Sequence, residues 1–127
     1  MLYLFLAVGG VLGTLARYRM GIWVHGWAGT GMPWGTFAIN LLGSFVLGLA
    51  TQLASTLPVS PELRGLVTVG FCGAFTTFST FMFETATLLQ DGEWGRAAVY
   101  AFGSLALGLA AMLLGLSTAL FFTRSGG

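Results

Sequence analysis

The uncharged run 65–83 constrains the fold of this chain more than any other feature of its sequence. A run of this length can cross the hydrocarbon layer of a membrane as a helix. Gly70 and Gly73 loosen such a helix, and the hydroxyls of the residues that follow compete for backbone hydrogen bonds. Because lipid offers no water to satisfy freed amides and carbonyls, the segment must be buried in protein or line a wet cavity. The run therefore predicts a membrane helix that is broken near its middle, with carbonyls and hydroxyls available to an ion.

The composition predicts an integral membrane protein. Of the 127 residues, 56% are hydrophobic and 7% are charged, whereas about a quarter are charged in soluble domains. A net charge of +1 without any lysine gives no indication of nucleic-acid binding. The single cysteine, Cys72, is predicted to be a buried, inert thiol. His25 is interpreted as an unremarkable loop residue, and no Cys/His or Ser/His pair within the apolar segments supports catalysis, so no enzyme is expected.

Four apolar segments are predicted to cross the membrane, which gives an all-α fold with four transmembrane helices. They comprise residues 2–24, 33–57, 61–90 and 96–123. No basic residue precedes the first apolar core, which disfavours a signal peptide. The connections are too short for a soluble domain, so residues 1–127 are predicted to form one domain.

The arginines do not select an orientation in the membrane. The side with both termini has Arg64 and Arg124, and the other side has Arg19 and Arg96, with Arg17 deeper. The excess of positive charge on one side over the other is therefore close to zero. Two alternatives stay open: insertion both ways with antiparallel pairing of two copies, or one topology set by weak cues such as Arg17.

Residues that repeat every fourth position define contact faces on three of the segments. The first segment has Gly9, Gly13, Arg17 and Gly21; the second has Thr36, Asn40, Ser44 and Gly48; the fourth has Tyr100, Ser104 and Gly108. The glycines indicate close helix packing. Arg17 either snorkels to the interface or faces an aqueous vestibule. The Asn40 amide either bonds a neighbouring helix or donates to a passing ligand, and the two polar faces together indicate a polar track.

Phenylalanines recur at every third position beside the predicted break, at Phe75, Phe78 and Phe81. Rings presented edge-on favour a small anion, and rings presented face-on favour a cation. Packing against neighbouring helices is the alternative role. Glu84, one turn further, is either a proton-coupling carboxylate, a hydrogen-bonding group on the track or an interfacial charge.

Three segments resemble the Fluc fluoride channels of microorganisms, a family also called CrcB. They are 9–17 (GGVLGTLAR), 35–48 (GTFAINLLGSFVLG) and 70–81 (GFCGAFTTFSTF), with Glu84 following the last and most specific of them. The likeness covers essentially the whole chain. It implies a passive fluoride channel in the lipid bilayer of the cytoplasmic (inner) membrane. It also implies an antiparallel, dual-topology homodimer with two pores, through which fluoride leaves the cytoplasm.

The resemblance also implies roles for individual residues. Asn40 would be the pore amide, and Phe78 and Phe81 would line the path with their edges. The implied pore set is Arg17, Asn40, Phe78, Thr80, Phe81, Glu84, Tyr100 and Ser104. A structural sodium ion on the dimer axis would be bound by the backbone carbonyls of Gly73 and Thr76 from each copy. The chain departs from many relatives at Gly73-Ala74, where they have two glycines, which affects the local backbone.

Two other functions are compatible with four short spans. A proton-coupled antiporter of the small multidrug resistance type relies on an acid in the first span, which this chain lacks, so Glu84 would have to replace it. A membrane scaffold without transport activity is the third candidate.

Overall fold

The computed structural model describes residues 1–126, which form helices joined by short connections. The helices are α1 (Leu2–Ala28), α2 (Trp34–Thr56), α3 (Pro61–Gly65), α4 (Gly73–Phe75), α5 (Phe78–Gln90) and α6 (Trp94–Ser125), with a π-helical segment, Leu66–Cys72, between α3 and α4. The predicted all-α class is confirmed. Three stretches are long and apolar enough to cross a membrane, namely α2, Pro61–Gln90 and α6.

Helix α1 is longer than the sequence indicates. It continues to Ala28 and ends at Gly29, whose φ of 82° is favourable for glycine and whose amide donates to the carbonyl of His25 at 3.1 Å. The prediction that a connection begins at His25 is therefore wrong, because this residue lies in the last turns of the helix. Its side chain consequently projects from a regular helix.

The turn between α2 and α3 is determined by its prolines and by one serine. Leu57 is extended, with φ −108° and ψ 152°, as the residue before Pro58 prefers to be. Ser60 caps α3, since its side chain accepts a hydrogen bond from the amide of Leu63 at 3.2 Å, and Pro61 occupies the first turn. The third span therefore starts at a defined position.

Glycines allow the helices to approach each other backbone to backbone. A Cβ atom on Gly48 would meet the Met112 carbonyl, so α2 and α6 are in very close contact there. In the same way, a Cβ atom on Gly9 or Gly13 would meet a carbonyl of the π-helical segment. The glycine spacing of α1 thus has the packing role that the sequence predicts, and the third span lies directly against α1.

The outer surface of the bundle is apolar. The exposed residues include large apolar side chains along most of α6, whereas the buried core is small and contains Ile39, Cys72 and Phe75. An exterior of this kind needs lipid rather than water as its solvent. All four tryptophans of the chain lie near one end of the bundle, where such rings prefer the membrane–water interface. The composition-based prediction of an integral membrane protein is confirmed, as is the burial of the Cys72 thiol.

Candidate functional site

The helical path from Pro61 to Gln90 is interrupted at Thr76 and Thr77, a pair that we call the break. Thr76 has φ −78° and ψ 154°, and Thr77 has φ −147° and ψ 115°, so both are extended. The amide and the hydroxyl of Thr76 donate to the carbonyl of Cys72, at 3.0 and 2.8 Å. The hydroxyl of Thr77 caps α5 by accepting from the amide of Thr80 at 3.3 Å. Local hydrogen bonds of the two threonines thus replace part of the helical pattern.

Asn40 of α2 binds the backbone of the break with both ends of its amide. Its nitrogen donates to the carbonyl of Thr77 at 3.1 Å, and its oxygen accepts from the amide of Thr77 at 2.8 Å. An asparagine inside a membrane span requires partners of this kind. Because the NH₂ group has two hydrogens, one N–H remains available for another acceptor. The interhelical role is therefore observed, and a second role as a donor remains open to this residue.

Arg17 of α1 contacts the last turn before the break. Its Nε donates to the carbonyl of Ala74 at 3.2 Å. The residue is only partly exposed, and within residues 1–126 no carboxylate lies within 4 Å of its guanidinium. The cation therefore lies at the carbonyl end of a short helix, where positive charge is stabilised.

One carbonyl at the break has no donor. Those of Cys72, Ala74 and Thr77 accept the hydrogen bonds described above, whereas that of Thr76 accepts none from the part of the chain that the structure describes. Gly73 is exposed, and a Cβ atom there would meet nothing within 4 Å. The free oxygen of Thr76 thus lies three residues from a backbone position that opens to the outside of the protomer, and it requires a ligand or solvent.

An open cavity of about 540 Å³ lies beside the break, between α1, α2 and α5. We call it the vestibule. Its polar lining includes Arg17, His25, Thr36, Thr77, Thr80 and Glu84. The hydroxyl of Thr36 donates to a carboxylate oxygen of Glu84, which ties this acid to α2. The vestibule therefore has cationic, hydroxyl and carboxylate groups close to the break.

Two of these lining residues, Thr36 and His25, lie outside the pore set that the sequence predicts, although Thr36 was placed on the polar face of its segment. Thr36 lies one turn before Asn40 on the same face of α2, but spacing alone does not reveal that Glu84 is its partner. His25 was assigned to a connection, and only the longer α1 brings it to the vestibule. The four-residue period from Arg17 through Gly21 to His25 is a signal that could have found it.

Three aromatic rings follow the break on α5 and α6. Phe81 is 6% exposed and packs edge-to-face on Tyr100, with ring centroids 5.0 Å apart and planes at 83°. Phe78 is 70% exposed and makes an edge contact with Phe81 at 6.2 Å and 73°. One ring is thus part of the protomer core, while its neighbour projects from the protomer.

Two hydroxyls behind Phe81 have no hydrogen-bond partner. The Tyr100 hydroxyl and the Ser104 Oγ, one turn apart on α6, are buried and unpartnered within residues 1–126. A buried polar group without a partner is costly and calls for an explanation. A polar species between these helices would supply the missing partner. The predicted site residues therefore form two groups, one at the break and vestibule and one around Phe81.

A helical membrane protein whose interrupted span presents polar groups beside an open cavity has the features of a channel or transporter. Residues 4–116 match the family described as CrcB-like protein, Camphor Resistance (CrcB). The chain belongs to this family, so the resemblance found in the sequence is confirmed.

Individual relatives are similar over most of their length. A protein of Thermus thermophilus is 51% identical over 113 residues, which cover 89% of each chain. One of Acidobacterium capsulatum is 50% identical over 117 residues, covering 91% of this chain and 94% of the relative. One of Chlorobaculum tepidum is 52% identical over 113 residues, covering 88% and 89%. All three are named fluoride-specific ion channel FluC.

Proposed function

We propose that this protein is a passive, fluoride-selective ion channel that lets fluoride leave the cytoplasm of a microorganism across its inner membrane. The observation that carries the proposal is the naming of relatives that are 50–52% identical over about nine tenths of the chain. Those relatives are named as channels, and no reacting group is needed for electrodiffusion. The whole chain acts as one membrane domain in this proposal.

The ion's path in this proposal runs from the vestibule along two groups of donors. Fluoride is strongly hydrated, so a pore must replace its lost water with closely placed donors. The spare N–H of Asn40 and the hydroxyl of Thr80 serve first, beside Arg17 and Glu84 of the vestibule. The edges of Phe78 and Phe81, which are the positive part of a phenyl ring, lead on to the hydroxyls of Tyr100 and Ser104. The lack of partners for those two hydroxyls supports this assignment.

The proposed channel is an antiparallel homodimer with two pores. Several glycines have no packing reason within one protomer, because a Cβ atom on any of them would meet nothing within 4 Å; these include Gly10, Gly73, Gly103 and Gly108. A second copy in close contact would explain them. The exposure of Phe78 supports the same conclusion. Near-equal numbers of arginines on the two sides are compatible with insertion both ways, and a two-fold axis then doubles every site.

A structural sodium ion on that axis completes the proposal. The residues fit such an ion, because the carbonyl of Thr76 lacks a donor and Gly73, three residues earlier, is exposed on its outer side. Two copies related by a two-fold axis would offer four carbonyl oxygens of these residues to one cation. When bound, the ion supplies positive charge that offsets these carbonyl dipoles and links the two breaks.

A proton-coupled antiporter remains the competing function, since Glu84 is a carboxylate on the vestibule with a hydroxyl partner. Liposomes that contain the purified chain and are loaded with fluoride separate the two. With the voltage clamped and no protonophore present, fluoride efflux without an accompanying change of internal pH supports the channel, and chloride-loaded liposomes are the selectivity control. Efflux that moves protons into the liposomes in a fixed ratio to fluoride would support the antiporter, and efflux no faster than from empty liposomes would leave only a scaffold.

A further inference from the structure

Arg17 is held in register with the break by the glycines that precede it on α1. Gly9, Gly13 and Arg17 are successive residues of one helix face. The two glycines pack against the carbonyls of Leu66 and Phe71, so α1 approaches the third span without intervening side chains. One turn further, the side chain of Arg17 reaches the break region itself. The close packing therefore determines where this side chain can donate.

The carbonyl that accepts from Arg17 lies two residues before that of Thr76 in sequence. The carbonyl of Thr76 has no donor within residues 1–126, whereas that of Ala74 accepts from Nε at 3.2 Å. A carbonyl at a helix end would otherwise compete for any cation bound nearby. The hydrogen bond thus removes one oxygen from the set that a cation could use.

We propose that Arg17 is a positioning residue for the cation at the break: its Nε–H···O=C bond to Ala74 withholds that oxygen from the ion and leaves the carbonyls of the proposed site, those of Gly73 and Thr76, to bind it. This inference rests on the proposed sodium site. It assigns to Arg17 a role that differs from attracting anions into the vestibule, because it depends on one N–H and not on the charge. The two roles can be separated by substitution.

Glutamine provides the separating variant, since its amide nitrogen is as many bonds from Cα as Nε of arginine. Arg17→Gln keeps a donor for Ala74 without the charge, and Arg17→Met removes both. The measurement is the thermal stability of the purified dimer while sodium replaces N-methyl-D-glucamine at constant ionic strength. For Arg17→Gln we expect the sodium concentration of half-maximal stabilisation to stay within about twofold of the parent. For Arg17→Met we expect it to rise about tenfold, the ratio that corresponds to roughly 1.4 kcal/mol.

Arg19, two residues further on α1 and exposed, provides matched controls, and neither Arg19→Gln nor Arg19→Met should change the sodium response. If Arg17→Met does not fold, Arg17→Asn takes its place, because its amide is one bond too short to reach Ala74. Equal sodium responses of the Gln and Met (or Asn) variants would overturn the inference, and so would a parent protein without any sodium response. Fluoride efflux from the same preparations is recorded separately, so the absence of flux would reject the channel without deciding the role of Arg17.

Discussion

Asn40 and Thr77 exchange two hydrogen bonds, at 3.1 and 2.8 Å, and so connect α2 to the break. The side-chain amide replaces the helical partners that the extended backbone of Thr77 has lost. This relationship gives Asn40 a structural task in addition to its proposed contact with fluoride. The two tasks lead to different expectations for different substitutions.

Replacing Asn40 by Asp tests the proposed path of the ion. A carboxylate still accepts from the Thr77 amide but cannot donate to the Thr77 carbonyl, so the variant should lose some stability. Its negative charge repels fluoride, so efflux from liposomes that contain folded variant should fall to the level of empty vesicles. Asn40→Ala should cost stability as well, by roughly 2–4 kcal/mol, because two partnered backbone groups lose their partner. Ser55→Ala, at an exposed position in the last turn of α2, is the control and should conduct normally. Normal efflux through the Asp variant would remove the amide from the path.

Substituting the glycines tests the close packing of α2 on α6. At Gly115 an added methyl would meet the carbonyl of Phe45, and neither backbone can move without separating the helices. We expect Gly115→Ala to destabilise the protein by roughly 1–3 kcal/mol, as overpacking does. The measurement is thermal unfolding followed by circular dichroism in detergent. Gly95→Ala, at an open position of the same helix, should be silent, and a similar loss for both would contradict the packing argument.

Gly103→Ala tests the proposed second copy. A methyl group there meets nothing within 4 Å in one protomer, so the fold of the protomer should be unaffected. If a partner covers this face, the variant should shift the equilibrium from dimer to monomer, which cross-linking at graded dilution in liposomes would detect. A fully dimeric variant at every dilution would place the interface elsewhere.

Much of the fold could be predicted from the sequence, because the features that determine it lie within short stretches of the chain. The helix positions follow from apolar runs and from Pro33, Pro58 and Pro61, and the contact faces follow from four-residue spacing. The extent of α1 was underestimated, because His25 and Gly26 weaken the apolar pattern while the helix continues to Ala28.

The features that could not be predicted depend on contacts between distant segments. The π-helical geometry of Leu66–Cys72 has no sequence signature of its own, and it occurs where α1 packs directly on the third span. In the same way, the partners of Arg17 and Glu84 lie far away in the chain. The sequence indicates Arg17 and Glu84 as candidate site residues, but where their side chains point depends on how the helices pack.

The contrast between Phe78 and Phe81 leads to a prediction about the rings. Both Phe78→Ile and Phe81→Ile should reduce fluoride efflux, because isoleucine has no positive ring edge. Only Phe81→Ile should also reduce stability, since Phe81 is buried against Tyr100 and Phe78 is 70% exposed in the protomer. Phe83→Ile, also exposed, is the control and should conduct as the parent does. Unaltered efflux in both ring variants would restrict the rings to packing.

Removing the unpartnered hydroxyls of α6 should change fluoride efflux without reducing the stability of the protein. Removing a buried hydroxyl that has no partner relieves an unsatisfied group, so Tyr100→Phe and Ser104→Ala should leave the free energy of unfolding within about 1 kcal/mol of the parent or raise it. Both should nevertheless lower fluoride efflux, by roughly tenfold if one donor to the ion is lost, since about 1.4 kcal/mol corresponds to that ratio. Ser117→Ala, on an exposed part of the same helix, should change neither quantity.

Unchanged efflux in Tyr100→Phe and Ser104→Ala would show that the ion does not pass these hydroxyls. If either variant loses stability, the hydroxyl that it removes has a hydrogen-bond partner in the assembled protein, because an unpartnered hydroxyl cannot stabilise the fold.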